Sequence, residues 1–147
     1  MYVADTKRLT AAGAKKMMAT AIARAQEAGI AVTVAIADAG GNLVLLERME
    51  GGRFHTVHSA TAKAVCAASN RRVTGSKGAQ GQPLDVTHAM GLALAAGAER
   101  WTAMEGGCPI LFGSECVGGI GVAGGSFEFD AKVAREAVES IGASAGE

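Results

Sequence analysis

The residues best suited to chemistry lie close together, in the stretch ERMEGGRFHTVHSA. Arg48 and Arg53 bracket Glu50 and a glycine pair, and His55 and His58 follow at a spacing of three, which makes them neighbours on a first helical turn. A helix start offers free N–H groups and the positive end of a dipole. The stretch therefore predicts a pocket for a carboxylate or phosphate ligand. The alternative interpretation is a polar loop that carries two surface histidines.

The two histidines suit either proton transfer or metal binding. An unperturbed imidazole titrates near neutral pH, so His55 or His58 could act as a general acid or base. A metal site would need Glu50 or the distant His88 as a third ligand, and the stronger H-E-x-x-H pattern is absent. The pattern favours proton transfer, and no bound metal is expected.

Four further residues are candidates for the same site or for structural roles. Lys63 lies among alanines and could supply a fixed positive charge to the pocket or extend to solvent. Trp101 precedes a glycine pair and could form a pocket wall or pack in the core, and Glu105 is a candidate acid–base partner. Asp38 ends a predicted strand at a turn, where a structural bond to the backbone is favoured.

A glycine motif, Gly119-x-Gly121-x-x-Gly124, has the spacing of a dinucleotide-binding loop. That function needs a strand before the motif, a helix after it and then a return strand. Only 23 residues follow Gly124, and they predict a single helix. The glycines are therefore expected to let a strand pack closely on helices of small residues.

Apolar periodicity and turn residues predict the elements around these motifs. In order they are a helix over 11–28 capped by Thr10, a strand over 30–38, a strand from Leu43, a helix over 54–69, a polar loop over 70–83, a small-residue helix within 84–97, a hairpin with strands over 109–112 and 116–122, and a final amphipathic helix. Hairpins between helices predict one α+β domain over residues 1–147. Its sheet should be antiparallel, with helices packed mainly on one face.

Composition limits the class of partner. The chain has 147 residues with 14 basic and 14 acidic side chains, so it lacks the positive charge of a nucleic-acid-binding protein. Its three cysteines form no C-x-x-C pair, which favours reduced thiols. No apolar run has the length of a membrane span, and the first residues lack a signal-peptide core. We expect a cytoplasmic protein that binds neither nucleic acid nor membrane, and zero net charge permits self-association.

In this order, several short motifs resemble those of the GlcG/HbpS family, the haem-degrading family that includes the C-terminal domain of PduO-type proteins. They are D-x-G-G-x-L from Asp38, R-M-x-G from Arg48, K-A at Lys63 and G-G-x-P-I from Gly106, and the resemblance covers nearly the full length. It implies a profilin-like fold and symmetric oligomers, from tetramer to octamer. Some members bind haem or a corrinoid, and others are encoded beside genes for small-molecule catabolism.

The chain also departs from the family pattern. Glu50 stands where the family usually has Asp, and His55 and His58 stand where apolar or small residues are usual. The first helix has no histidine, so it lacks the axial haem ligand that the resemblance to PduO-type domains would place there. The added histidines indicate a specialised small-molecule site.

Two hypotheses follow. In the first, the protein is a cofactor-independent catabolic enzyme, such as a tautomerase, hydratase or hydrolase, that acts on an oxygenated carboxylate. Arg48 or Arg53 would anchor the substrate and His55 or His58 would move a proton. In the second, the protein binds haem or a corrinoid without catalysis. The first hypothesis needs no cofactor and is the one preferred at this point.

Overall fold

The computed structural model describes residues 1–147 and contains four helices and four strands. These are α1 (Ala11–Ala28), β1 (Thr33–Asp38), β2 (Leu43–Arg48), α2 (Thr56–Asn70), α3 (Val86–Ala96), β3 (Gly107–Phe112), β4 (Glu115–Ala123) and α4 (Phe127–Glu139). The strands form one antiparallel sheet in the order β2-β1-β4-β3. The predicted α+β class and the antiparallel sheet are thereby confirmed.

Local signals define where most elements begin and end. The hydroxyl of Thr10 accepts a hydrogen bond from the Gly13 N–H at 3.1 Å, which caps α1 as predicted. Gly29 ends α1 with φ +69, and the N–H of Ile30 still donates to Ala25 O. Because the helix end uses this N–H group, β1 begins at Thr33 rather than at Ile30.

The two faces of the sheet have different side chains, and helices cover both. Val34 and Ile36 of β1 belong to the larger core, which α1 and α4 close from one side. Ala35 and Ala37 point to the other side, where they pack against alanines of α2. Two packed helices therefore share one face, while α2 alone covers the opposite face.

The glycine motif of β4 is the reason that α2 lies so close to the sheet. A Cβ atom at Gly119 would overlap Ala64 O, and one at Gly121 would overlap Ala60 O. Backbone meets backbone at this contact, as expected from the sequence. The motif is a packing device between β4 and α2.

α3 differs from the other helices because no Cα atom of it comes within 8 Å of any other helix or strand. None of its residues is buried. The Asp85 side chain caps it by accepting from the His88 N–H at 2.8 Å, and Gly97 ends it. None of the four helices has the combination of length and apolar character that a membrane crossing requires.

Candidate functional site

The junction between β2 and α2 contains the predicted arginines, but its geometry differs from the expected anion pocket. The Arg48 guanidinium donates to Gly52 O at 2.7 Å, so it closes the turn that follows the strand. Arg53 and Glu50 are exposed and make no side-chain hydrogen bond or ion pair. The two arginines thus contribute charge to an open surface, and neither lines the groove described below or the cavity beside the start of α1.

The first N–H groups of α2 are not free, in contrast to the expectation that a helix start leaves them available to an anion. The N–H groups of residues 56, 57 and 58 donate to the carbonyls of Arg53, Phe54 and His55, at 3.1–3.3 Å. A tight turn directly before the helix satisfies the groups that would otherwise be exposed. This turn also explains why α2 begins at Thr56 rather than at Phe54.

Two buried hydroxyl groups fix the start of α2 on the sheet. The hydroxyl of Thr56 donates to Arg53 O at 2.5 Å and lies 2.7 Å from that of Thr33 on β1. Since the carbonyl can only accept, Thr33 donates to Thr56. This short chain of hydrogen bonds determines which side chains the first turn of α2 presents outward.

The two predicted histidines have different surroundings. Nδ1 of His58 lies against a carboxylate oxygen of Glu99, which is 41 residues away in the chain. A carboxylate only accepts, so Nδ1 donates its proton to Glu99, and Nε2 makes no hydrogen bond within the chain. His55 is exposed and contacts the Phe54 ring edge to face, with centroids 5.9 Å apart. Only His58 is joined to a distant part of the chain.

A groove lies beside this pair, between the β1–β2 turn, α2 and the residues that follow α3. It consists of two adjoining cavities of about 430 Å³ each, which share Gly41, Val65 and Arg100. Glu99 lines the first cavity and Trp101 the second. Ligand pockets in proteins have volumes of roughly 300–1,000 Å³, and each half of the groove falls within this range.

The groove has apolar walls and a rigid turn at one end. Apolar side chains in its lining are Leu43, Leu46, Val57, Val65, Ala95, Ala96 and Trp101. The turn is held by Asp38, whose Oδ1 accepts from the N–H groups of Gly40 and Asn42 at 2.9 and 3.0 Å. Asp38 therefore has the structural role that its position predicted, and that role shapes the groove.

Arg100 is the cation of the groove. It lines both cavities, and its guanidinium makes no hydrogen bond or ion pair within the chain. A guanidinium can hold a carboxylate through two parallel hydrogen bonds. An unpaired arginine between apolar walls suits a ligand that is largely apolar and carries a carboxylate group.

Lys63 does not reach the junction and is not available to a ligand there. Its side chain is 3% exposed, and its ammonium donates to Val122 O at 2.8 Å and to Asp130 Oδ2 at 3.4 Å. Burial lowers the pKa of Lys63, and the charge of Asp130 opposes that shift. Burial likewise raises the pKa of Asp130, and Lys63 opposes it. The pair joins α2 to β4 and α4.

The remaining predicted residues are divided between two regions. Trp101 is buried and forms part of the groove wall, whereas Glu105 is exposed and lies near the buried Lys63. No group of three or more His, Cys, Asp or Glu side chains converges as a metal site. A larger cavity of about 480 Å³ lies beside the start of α1, and it contains none of the predicted residues.

Sequence reasoning missed Arg100 and Glu99. Neither residue belongs to a motif. Glu99 contacts His58, and Arg100 lines a groove with residues 41–65, so both contacts join parts of the chain that are distant in sequence. The adjacent Trp101 was predicted as a possible pocket wall. The signal that could have found them is the charged pair directly after an apolar helix and its terminating Gly97.

Comparison with known proteins places this fold among described relatives. The family model for haem degrading proteins of the HbpS-like type matches residues 9–139. An uncharacterized 15.0 kDa protein in the dhaT-dhaS intergenic region of Citrobacter freundii is 29% identical over 131 residues, which is 89% of this chain and 90% of that protein.

Solved structures agree in fold over almost the whole chain. The crystal structure of the Klebsiella pneumoniae protein ORFY has a TM-score of 0.81 and 28% identity, covering 97% of both chains. The crystal structure of a PduOC:heme complex also has a TM-score of 0.81, with 22% identity, and covers 96% of this chain and 100% of that chain.

Proposed function

The chain belongs to the HbpS-like family of haem degrading proteins, and we propose that it binds a haem-type tetrapyrrole in the groove beside Arg100. The observation that carries this proposal is the unpaired Arg100 between apolar walls; Glu99, the partner of His58, lines the same groove. A corrinoid, which shares the large ring and polar side groups, is the alternative ligand.

The groove suits the chemistry of such a ligand. A haem is a flat apolar ring with two carboxylate side chains at one edge. Apolar side chains such as Leu46 and Val65 offer the ring a surface, and Arg100 offers a carboxylate partner. Arg100 and Glu99 are the ionised groups of the lining, so Arg100 is the one residue there that can pair with a carboxylate of the ligand.

His58 is the residue that would hold the iron. Metal-binding histidines commonly donate their second ring N–H to a carboxylate, which fixes the tautomer and the ring orientation. Nδ1 of His58 is already engaged by Glu99 in this manner, and Nε2 is free. When bound, haem supplies its redox chemistry, while the residues of the chain bind and orient it.

Relatives support the same ligand class. The family is described by haem degradation, and PduOC, which has the same fold, was crystallised with heme. The enzyme hypothesis, which needed no cofactor, has less support. Its anion pocket depended on the N–H groups of residues 56–58, and these donate to carbonyls of the chain.

Haemin titration with matched variants tests the proposal. The parent should give a one-to-one complex with a sharp Soret band. Arg100→Ala should weaken binding by about 10-fold to 100-fold, as expected for the loss of a charge-assisted hydrogen bond of roughly 1.5–3 kcal/mol. His58→Ala should shift the Soret band and weaken binding. Thermal melts establish that each variant is folded.

Two exposed residues outside the groove serve as controls. Arg53→Ala removes an equally unpaired arginine, and His55→Ala removes a histidine from the same helix start. Both should bind haemin like the parent. If the parent forms no stoichiometric complex, tetrapyrrole binding is disproved, and if Arg100→Ala and His58→Ala bind normally, the groove is not the site.

A further inference from the structure

A cavity of about 480 Å³ lies beside the start of α1 and shares no lining residue with the groove. Three parts of the chain meet there: the segment before α1 with the first turn of that helix, the β3–β4 hairpin, and Ile141 after α4. Val117 lines the cavity and is 2% exposed, and Leu9, Phe112 and Ile141 are half-buried against the same core. The cavity therefore leaves apolar side chains in contact with water, which an apolar ligand would displace.

Gly13 keeps this space open. It lies in the first turn of α1, where alanine would favour the helix more than glycine does. A Cβ atom at this position would lie 3.3 Å from Leu9 Cδ1 and 3.9 Å from Ile141 Cδ1. Both side chains line the cavity, so a larger residue at position 13 would fill it.

The ionised groups of the lining are both basic, and one of them has no partner. The Lys7 ammonium lies 3.6 Å from Glu115 Oε2, and the Lys7 N–H donates to the same oxygen at 3.0 Å. These contacts hold the segment before α1 against the start of β4. Arg8 is exposed and makes no hydrogen bond or ion pair within the chain. The cavity thus has apolar walls, one free cation and no acidic residue in its lining.

We propose that this cavity binds a small monocarboxylate with an apolar body, such as a fatty acid of short or medium length. The carboxylate would pair with the Arg8 guanidinium, which can donate two parallel hydrogen bonds to it. The apolar body would lie on Leu9, Phe112 and Ile141 and release water from them. A single unpaired cation suits one carboxylate, and the volume is within the range of ligand pockets, roughly 300–1,000 Å³. This site is separate from the proposed tetrapyrrole site and does not depend on it.

Titration of the isotope-labelled full chain with sodium octanoate, followed by NMR, tests the site. Octanoate should bind with one-to-one stoichiometry and a dissociation constant of about 1 mM or lower. The amide signals that move should be those of residues at the cavity, such as Gly13, Val117 and Ile141. Octan-1-ol, which has the same chain length without the charge, should bind about 10-fold more weakly. Acetate, which lacks the apolar chain, should show no saturable binding.

Two variants separate the role of the charge from that of the space. Arg8→Ala should weaken octanoate binding by about 10-fold and leave octan-1-ol binding unchanged, because only the charged partner is lost. Gly13→Leu should abolish binding of both ligands, since the new side chain occupies the cavity, and its thermal melt establishes that it is folded. Arg53→Ala removes an exposed and unpaired arginine outside the cavity, so it should bind octanoate like the parent.

Several results would disprove this site: a parent that does not saturate with octanoate, signals that move only at the groove, or an Arg8→Ala variant that binds octanoate like the parent. A folded Gly13→Leu variant with normal binding would disprove it as well. Arg100→Ala should leave octanoate binding unchanged, which keeps this test independent of the tetrapyrrole proposal. If haemin displaces octanoate from the parent, the cavity belongs to the tetrapyrrole site and a separate carboxylate site is wrong.

Discussion

At the scale of single residues, Cys108 on β3 is a buried thiol with a measurable consequence. It is 1% exposed, and burial raises its pKa from 9.0 to about 12. Above pH 9 the unfolded chain therefore loses this proton while the folded chain keeps it. The corresponding contribution to stability is complete below pH 9 and is lost as the pH rises towards 12.

We expect the unfolding free energy of the parent to fall faster with alkaline pH than that of Cys108→Ala. The difference in slope should approach about 1.4 kcal/mol per pH unit between pH 9 and pH 11. Urea unfolding at several pH values measures it. Equal slopes for Cys108→Ala and the parent would contradict the prediction.

The buried ion pair of Lys63 and Asp130 gives a second prediction at this scale. Removal of one partner leaves the other charge buried and unpaired, so Asp130→Ala or Lys63→Met should each cost about 3–5 kcal/mol. The double variant should cost clearly less than the sum of the two. Urea unfolding of all four proteins measures the coupling, and costs that add to within about 0.5 kcal/mol would show that the pair does not interact.

Residues of the candidate site show the limit of prediction from sequence. The short stretch around His58 could be recognised, because its polar groups are adjacent in the chain. The partner of His58 and the cation of the groove could not, because Glu99 and Arg100 approach α2 only after the chain has folded. Lys63 looked available for a ligand, and only the packing of α2 on β4 shows that its ammonium points inward.

At the scale of elements, the order and type of all eight helices and strands follow from the sequence. Capping residues such as Thr10 and Gly29 act through local hydrogen bonds, so the sequence alone predicts them. The isolation of α3 could not be predicted in this way. An apolar helix has the same pattern whether it will be buried in its own chain or against another.

The close contact of β4 with α2 can be tested by a substitution at Gly121. In Gly121→Ala the new methyl group would overlap Ala60 O, so strand and helix must separate. We expect a loss of about 3 kcal/mol or more, at the upper end for an overpacked core. Gly91→Ala is the control, because no atom lies within 4 Å of the added group and alanine favours a helix by about 0.5–1 kcal/mol.

Urea unfolding distinguishes the two glycine variants. The midpoint should fall for Gly121→Ala and stay level or rise for Gly91→Ala, with the denaturant dependence unchanged. If Gly121→Ala is as stable as the parent, the close approach of β4 and α2 is not needed by the fold, and the interpretation of the glycine motif as a packing device would be wrong.

At the scale of the whole molecule, the proposed tetrapyrrole groove adjoins α3, an apolar helix with no buried residue. Ala95 and Ala96 end α3 and also line the groove, and Arg100 follows after a single turn. A second copy on α3 would thus lie near the mouth of the groove and help to exclude water from it. Assembly through α3 and ligand binding in the groove are expected to favour each other, because both would contact the same segment.

The melting temperature of the apo protein should therefore depend on its concentration. Association stabilises the folded state by mass action, so a 100-fold increase in concentration should raise the melting temperature by about 3–5 °C for a chain of this length. If the copies associate through α3, the melting temperature of Leu94→Glu should not change over the same range, because Leu94 is 81% exposed on this helix and a charge there disrupts apolar contact. Phe127→Glu should behave like the parent. If Leu94→Glu keeps the concentration dependence, the chains associate through some other surface, whereas a parent without any dependence would show that the folded chain is stable alone and that α3 remains exposed to water.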